Sequence, residues 1–314
     1  MLFNIRMYVR PILYILRYWR AFLLTRFPLN ENLRKDLKVG FIVGCGRSGT
    51  TLLGELISGH PNTTYLFEPL EFWRAVEKSV DVGSRDSNAR GRMFLFESDV
   101  NEEHRNRFNR YFNILGLTKS VVVEKTPHNI FRIGWLERLT DQPLYIFIVR
   151  DGVDVAHSIA KLAKDTSFRI RGVSNFNRWW GRNDVKWNVL QQEVFDLQYF
   201  SDDVNLLQAD DQKGAFEWLV SMKEMDRWQE RLGPRMMIVR YVDLTRDPKS
   251  VMESVYRFLG LSVNREILLN VTSIVSTAKS SGVKHIFLPD GMAREFNRYQ
   301  ALYGFSGRAV SEIH

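Results

Sequence analysis

The chain has 314 residues, 45% hydrophobic and 25% charged, enough apolar material for a sizeable core; a disordered or low-complexity polypeptide is excluded. Of its formal charge of +8, eight Lys/Arg against Glu31 and Asp36 place +6 in residues 1–38, so the remainder carries only +2. That distribution argues against a nucleic-acid-binding body, and the lone Cys45 excludes an intrachain disulfide framework and leans toward a reducing, cytoplasmic setting.

Residues 1–27, MLFNIRMYVRPILYILRYWRAFLLTRF, read as an amphipathic helix with Arg6, Arg10, Arg17 and Arg20 inside a sector of roughly 80°. No run of about 18 uncharged apolar residues occurs, which argues against a transmembrane span, and a cleavable signal would lack its unbroken apolar centre. The pattern suits a helix at a membrane surface, with arginines at anionic headgroups and Tyr8, Tyr14, Tyr18, Trp19 and Phe22 in the boundary layer. A helix packed on the protein body, or on a second copy in a homo-oligomer, is the alternative. Pro11 should kink or interrupt it in either case. Residues 1–38 are thus read as a basic helical segment, and 39–314 as the domain proper.

From Val39 to Ile57 the sequence VGFIVGCGRSGTTLLGELI reads as a buried strand, a turn with Gly44, Gly46 and Gly49, and a helix with Leu52, Leu53, Leu56 and Ile57 on one face. Such a junction cradles an anion: the glycines admit close approach, first-turn N–H groups point at it, and Arg47, Ser48, Thr50 and Thr51 add charge and donors. Gly44 and Gly49 have the spacing of an ATP or GTP loop, but Thr50 stands where that loop needs Lys. A small-molecule kinase would lose its main cation. Gly46 to Leu53 resembles instead the 5′-phosphosulfate loop of sulfotransferases that use 3′-phosphoadenosine-5′-phosphosulfate (PAPS), in the Arg-containing form of tyrosylprotein and many bacterial sulfotransferases.

Downstream, Tyr65 to Phe67 form a short strand leading to Glu68, which resembles in placement the glutamate that tyrosylprotein sulfotransferases use to deprotonate the acceptor. Beside Leu66 and Phe67 and opposite an arginine, it could be desolvated enough to act as a base; the alternative is a surface ion pair. Residues 83–88 read as a loop and Glu102 to Phe112 as a helix. The strand 120–124 ends in Lys125-Thr126-Pro127, which matches the family's Lys-x-Pro, implying that Lys125 holds the sulfate and its bridging oxygen. His128 is the rival base.

The strand 144–149 runs into Arg150 and a helix from about 153 to 164. Arg150 and Ser158, eight apart, match the family's 3′-phosphate site, where an arginine fork suits a phosphate and a hydroxyl adds a directional donor. Residues 166–213 are read as a variable acceptor-side region. Its Trp179, Trp180 and Trp187 either stack on an acceptor or fill the core, and Asp202-Asp203 and Asp210-Asp211 read as solvated rather than metal ligands. A helix from 215 to 232 precedes the strand 236–241, and Tyr241-Val242-Asp243-Leu244 resembles a segment common in bacterial sulfotransferases that implies Tyr241 near the adenine. A helix over 250–259 stops at Gly260, and Lys279 to Lys284 form a basic Ser/Gly loop suited to a further nucleotide contact.

Strands separated by helices predict an α/β three-layer sandwich around a mostly parallel sheet. The resemblance implies a sulfotransferase taking a sulfuryl group from PAPS to an acceptor hydroxyl on a lipid-linked or carbohydrate molecule or, alternatively, a protein tyrosine. Glu68, Arg47 and Lys125 would be catalytic. Gly46, Arg47, Ser48, Gly49, Thr50, Thr51, Arg150, Ser158 and Tyr241 would bind PAPS, with no metal and no nucleic acid. The non-enzymatic alternative is a membrane-associated nucleotide-binding scaffold. The expected location is cytoplasmic, peripheral on the membrane.

Overall fold

A computed structural model describes residues 2–26, 34, 36–83, 91–165, 176–275 and 282–311, with backbone only for 2–12, 265, 270, 272 and 273. The loop expected at 84–88, the opening of the acceptor-side region at 166–175, residues 279–281 of the basic Ser/Gly loop, and the side chains of Arg6, Tyr8 and Arg10 lie outside the described residues.

Helix α1 spans Leu2–Leu24 and is not interrupted at Pro11, where a kink or an interruption was expected. It packs on the body: Arg74 lies over the Tyr14 and Tyr18 rings and donates to the Tyr14 hydroxyl, while Arg26 stacks on Phe22 and donates to the Ala75 carbonyl. Tyr14, Tyr18 and Phe22, expected to face a lipid boundary, are therefore half-buried against protein.

The domain proper is built on β1 (Lys38–Val43), α2 (Thr50–Ser58), β2 (Thr63–Phe67), α3 (Leu70–Val76), α4 (Glu102–Leu115), β3 (Val121–Lys125), α5 (Ile133–Leu139), β4 (Leu144–Val149) and α6 (Gly152–Ala163). A small hairpin follows, β5 (Phe176–Asn177) and β6 (Gly181–Arg182), then α7 (Val185–Asp196) and α8 (Asp210–Leu232). The chain continues through β7 (Met236–Arg240), α9 (Tyr241–Arg246), α10 (Pro248–Phe258), α11 (Arg265–Ile274), β8 (His285–Phe287), α12 (Asp290–Leu302) and β9 (Arg308–Val310).

The five long strands pair in the order β2-β3-β1-β4-β7, all parallel. Side-chain alternation explains why helices cover both faces. Phe41, Val43, Val122, Tyr145, Phe147 and Val149 join a core with α3, α4, α5, α6 and α8, whereas Ile42, Val121, Val123, Ile146 and Ile148 join a second with α2 and α10. The three-layer α/β sandwich is thus present. Parallel pairing aligns the carboxyl ends of all five strands on one edge, and chain order reverses at β1, with β3 on one side and β4 on the other. In open sheets that reversal leaves a crevice for ligands.

Among the boundaries that differ from the sequence reading, two involve residues near the site. Helix α8 begins at Asp210 rather than 215, because Asp210 and Asp211 suit the first turn and the Gln212 side chain accepts from the N–H groups of Gln208 and Ala209. Tyr241 opens α9 rather than closing β7. The aspartate pairs are not simply solvated, since Asp210 accepts a hydrogen bond from the Trp180 indole at 2.9 Å.

Candidate active site

The glycine-rich turn between β1 and α2 has a conformation its sequence permits. Gly44 and Gly49 have φ of 135° and 103°, while Arg47 takes φ 71°. At Gly49 a Cβ would also meet the Tyr241 ring at 2.4 Å. Gly49 caps α2 with no side-chain hydrogen bond, so the first-turn N–H groups face the crevice without a side-chain cap. The Ser48 hydroxyl is buried without a hydrogen-bond partner, a group awaiting an acceptor or donor in this cradle. Thr50 is buried beside it and Thr51 is exposed.

The ends of β2 and β3 and the first turn of α2 bring Glu68, Lys125 and Thr51 together. The buried Lys125 ammonium donates to Glu68 at 2.5 Å and to the Thr51 hydroxyl at 3.1 Å, and it sits 4.1 Å from the Phe67 ring centre. Glu68 takes φ 41°, and its N–H bonds to the Lys125 carbonyl at 2.8 Å, which ties the end of β2 to the end of β3. The Glu68 carboxylate is 47% exposed and faces Lys125, not the arginine that the sequence reading set opposite it.

Beneath this pair, buried Glu124 accepts from Trp73 of α3 at 2.9 Å, from Asn129 at 2.8 Å and from Thr126. One carboxylate thus fixes both the segment after Glu68 and the turn after Lys125. Burial raises its pKa to about 7, against the pull of these donors. Burial, aided by the cations Lys186, Arg132 and Lys125, pushes the His128 pKa well below its usual range, which makes its imidazole a poor proton acceptor.

At the end of β4, Arg150 donates to the Arg47 carbonyl at 3.2 Å, lies 3.6 Å from Asp154 and covers the Tyr241 ring at 4.8 Å. Arg47 donates to the Ser158 hydroxyl at 3.0 Å. Arg47, Arg150, Ser158 and Tyr241 therefore converge beside the loop, while Glu68, Lys125 and Thr51 form a second group across it. Arg47 joins the first group and not the second. Asp151 holds the start of α6 by accepting from Val153 N–H and from Gly307 N–H, both at 2.9 Å.

The hairpin supplies residues that sequence reasoning did not place at the loop. A Cβ on Gly46 would lie 2.4 Å from the Trp179 ring, so this indole covers the glycine. Trp179 donates to Glu217 of α8 at 2.9 Å, and the buried Lys186 pairs with Glu217 at 2.8 Å while standing 3.9 Å over the same indole. Arg178, paired with Asp165 at 2.5 Å, is near enough that with Arg150 it adds to burial in lowering the Arg47 pKa, against the pull of Glu68. Trp180 and Trp187 are core residues. The Trp-Trp-Gly run was visible in the sequence, but only the fold lays its first indole on Gly46.

An uncapped helix N-terminus after β1, with Arg47, Arg150 and Ser158 gathered beside it at the end of β4, lies at the switch point of a three-layer α/β protein. A profile of the sulfotransferase family matches residues 41–201, just over half of the chain, and the protein belongs to that family. Among solved structures, the sulfotransferase STF9 from Mycobacterium avium is similar at 15% identity with a TM-score of 0.50, covering 88% of this chain and 79% of that one. The sulfotransferase STF1 from Mycobacterium tuberculosis H37Rv is 16% identical with a TM-score of 0.47, covering 89% and 83%. Mouse sulfotransferase SULT7A1, solved in complex with PAP, is 15% identical with a TM-score of 0.42, covering 82% and 68%. At 15% identity the likeness to STF9 concerns the fold alone. No curated protein matches the chain in sequence.

Proposed function

We propose that this sulfotransferase moves a sulfuryl group from PAPS to an acceptor hydroxyl through the residues around the β1–α2 turn. The observation that carries the reading is the two-part anion site: the uncapped N-terminus of α2 with buried, unpartnered Ser48 on one side, and Arg47, Arg150 and Ser158 on the other. A nucleotide with phosphates at both ends of its ribose needs that pairing. Gly46, Ser48, Gly49, Thr50 and Thr51 hold the 5′-phosphosulfate, Arg150 and Ser158 take the 3′-phosphate, and Tyr241, beneath Arg150, meets the adenine.

In the reaction the acceptor oxygen attacks sulfur as its proton passes to Glu68, and the bond from sulfur to the 5′-phosphate oxygen breaks. Sulfated acceptor and adenosine 3′,5′-bisphosphate leave. Lys125 donates to the departing oxygen, where charge accumulates, and Arg47 adds positive potential from the other side of the loop. Its 2.5 Å bond to Glu68 gives Lys125 a second task, holding the carboxylate at the strand edge where the acceptor enters.

The hydroxyl belongs to a lipid-linked or carbohydrate acceptor, with protein tyrosine as the alternative; a body carrying only +2 offers little attraction to an acidic peptide. The described part of the acceptor-side region, residues 176–213, borders the acceptor side, consistent with Trp179 on the loop, and the basic helix α1, packed on the body, lies at the cytoplasmic membrane face. Incubation with radiolabelled PAPS and a panel of glycolipid, oligosaccharide and tyrosine-peptide acceptors tests this, with ATP and magnesium in parallel. Label transfer to one class, lost in Glu68→Gln, is expected. Phosphoryl transfer from ATP without label transfer from PAPS would make the protein a kinase.

A further inference from the structure

Helix α1 has two apolar faces, and the body uses only one. Tyr14, Tyr18, Ala21 and Phe22 turn toward α3 and the rest of the body, with Ala21 fully covered. About half a helical turn away, Ile15, Leu16, Trp19 and Leu23 lie on one stripe and are 53%, 60%, 54% and 50% exposed. Four large apolar side chains at consecutive turns are more than scattered surface hydrophobicity. Arg17 and Arg20 are exposed along one flank of this stripe. No described helix is long and apolar enough to cross a membrane.

From this geometry we infer that the outward stripe of α1 docks flat onto an anionic lipid bilayer. The apolar side chains enter the boundary between headgroups and acyl chains. Arg17 and Arg20 sit level with the headgroup phosphates, and the inward face keeps the helix fixed to the domain. Charge selects this occupant: cations bordering an apolar stripe complement an anionic lipid surface, whereas a second copy of the same face would bring its own arginines against them. Helix α3, which receives Tyr14 and Tyr18 through Arg74, starts two residues after Glu68. Docking would therefore anchor the element that leads away from the acceptor edge. The inference needs nothing from the proposed reaction, and its test does not use catalysis.

The test is flotation of the full chain with vesicles of phosphatidylcholine alone, or of equal parts phosphatidylcholine and phosphatidylglycerol. The expected result is co-flotation with the anionic vesicles, weaker association with neutral ones, and weakening by salt. Arg17→Gln and Arg20→Gln should each reduce binding about fivefold. Leu16→Glu with Trp19→Glu should abolish it while unchanged affinity for adenosine 3′,5′-bisphosphate reports an intact domain. Failure to float with either vesicle overturns the inference, as does full binding by the Leu16→Glu/Trp19→Glu variant. A dimer by light scattering that this variant converts to monomer, without vesicle binding, would assign the stripe to a second copy.

Discussion

Replacing Arg150 by alanine isolates one half of the proposed two-part anion site. The Arg150 side chain is 16% exposed, so water screens little of its interaction with a bound phosphate. A charge-assisted arginine–phosphate contact in such surroundings contributes about 2–3 kcal/mol, which corresponds to a loss of roughly 30- to 150-fold in affinity. The loss should fall on one ligand only. Calorimetric titration of Arg150→Ala with adenosine 3′,5′-bisphosphate should show that weakening, while adenosine 5′-monophosphate, which lacks the 3′-phosphate, should change by less than about threefold. Asp154, 3.6 Å from Arg150, competes with the ligand, so Asp154→Asn should tighten the bisphosphate by a factor of about two to five. Equal weakening of both nucleotides by Arg150→Ala would place the arginine elsewhere than the 3′-phosphate and refute the reasoning.

Other substitutions test the remaining parts. Glu68→Gln and Lys125→Met should each slow sulfuryl transfer by roughly 10²- to 10³-fold, with nucleotide affinity after Glu68→Gln within a few-fold; wild-type turnover by Glu68→Gln would return the base to His128. Gly46→Ala should weaken nucleotide binding because its Cβ meets the Trp179 ring at 2.4 Å, and adding Trp179→Ala should restore it; a double variant no better than the single would show that the indole is not the obstacle. Glu124 has a folded pKa near 7, above its unfolded value near 4.5, so the native state binds more protons and its contribution to stability declines as pH rises through that window. Glu124→Gln should flatten the fall in melting temperature across it, helped by a flip of Asn129 that brings its unpartnered oxygen to the new amide; an unchanged profile would mean that another group titrates there.

Much of the domain was legible because parallel strands buried on both faces leave long apolar runs, and the runs ending in Val43, Val149 and Lys125 could be found without partners. The glycine-rich turn between β1 and α2 was legible for a similar reason, since glycine spacing and strand-to-helix order are local properties. Legibility failed where a residue's environment came from a distant segment. The side chain facing Glu68 proved to be Lys125, 57 positions away, because β2 and β3 are neighbours. Gly46 met Trp179 only through a hairpin anchored by the Lys186–Glu217 pair. In α1, periodicity placed the arginine stripe but could not say which apolar face the body would cover.

The amino-acid sequence by itself determined the class of fold and the glycine turn between β1 and α2, because hydrophobic period and glycine conformational freedom are carried by short stretches of chain. Only the tertiary structure decided the partners: Arg47 with Ser158, Lys125 between Glu68 and Thr51, Trp179 over the loop, and the outward face of α1. Those contacts depend on which strands are adjacent and which helix faces are covered. Strand order and layer packing are settled by burial over the whole chain, so no local pattern reports them.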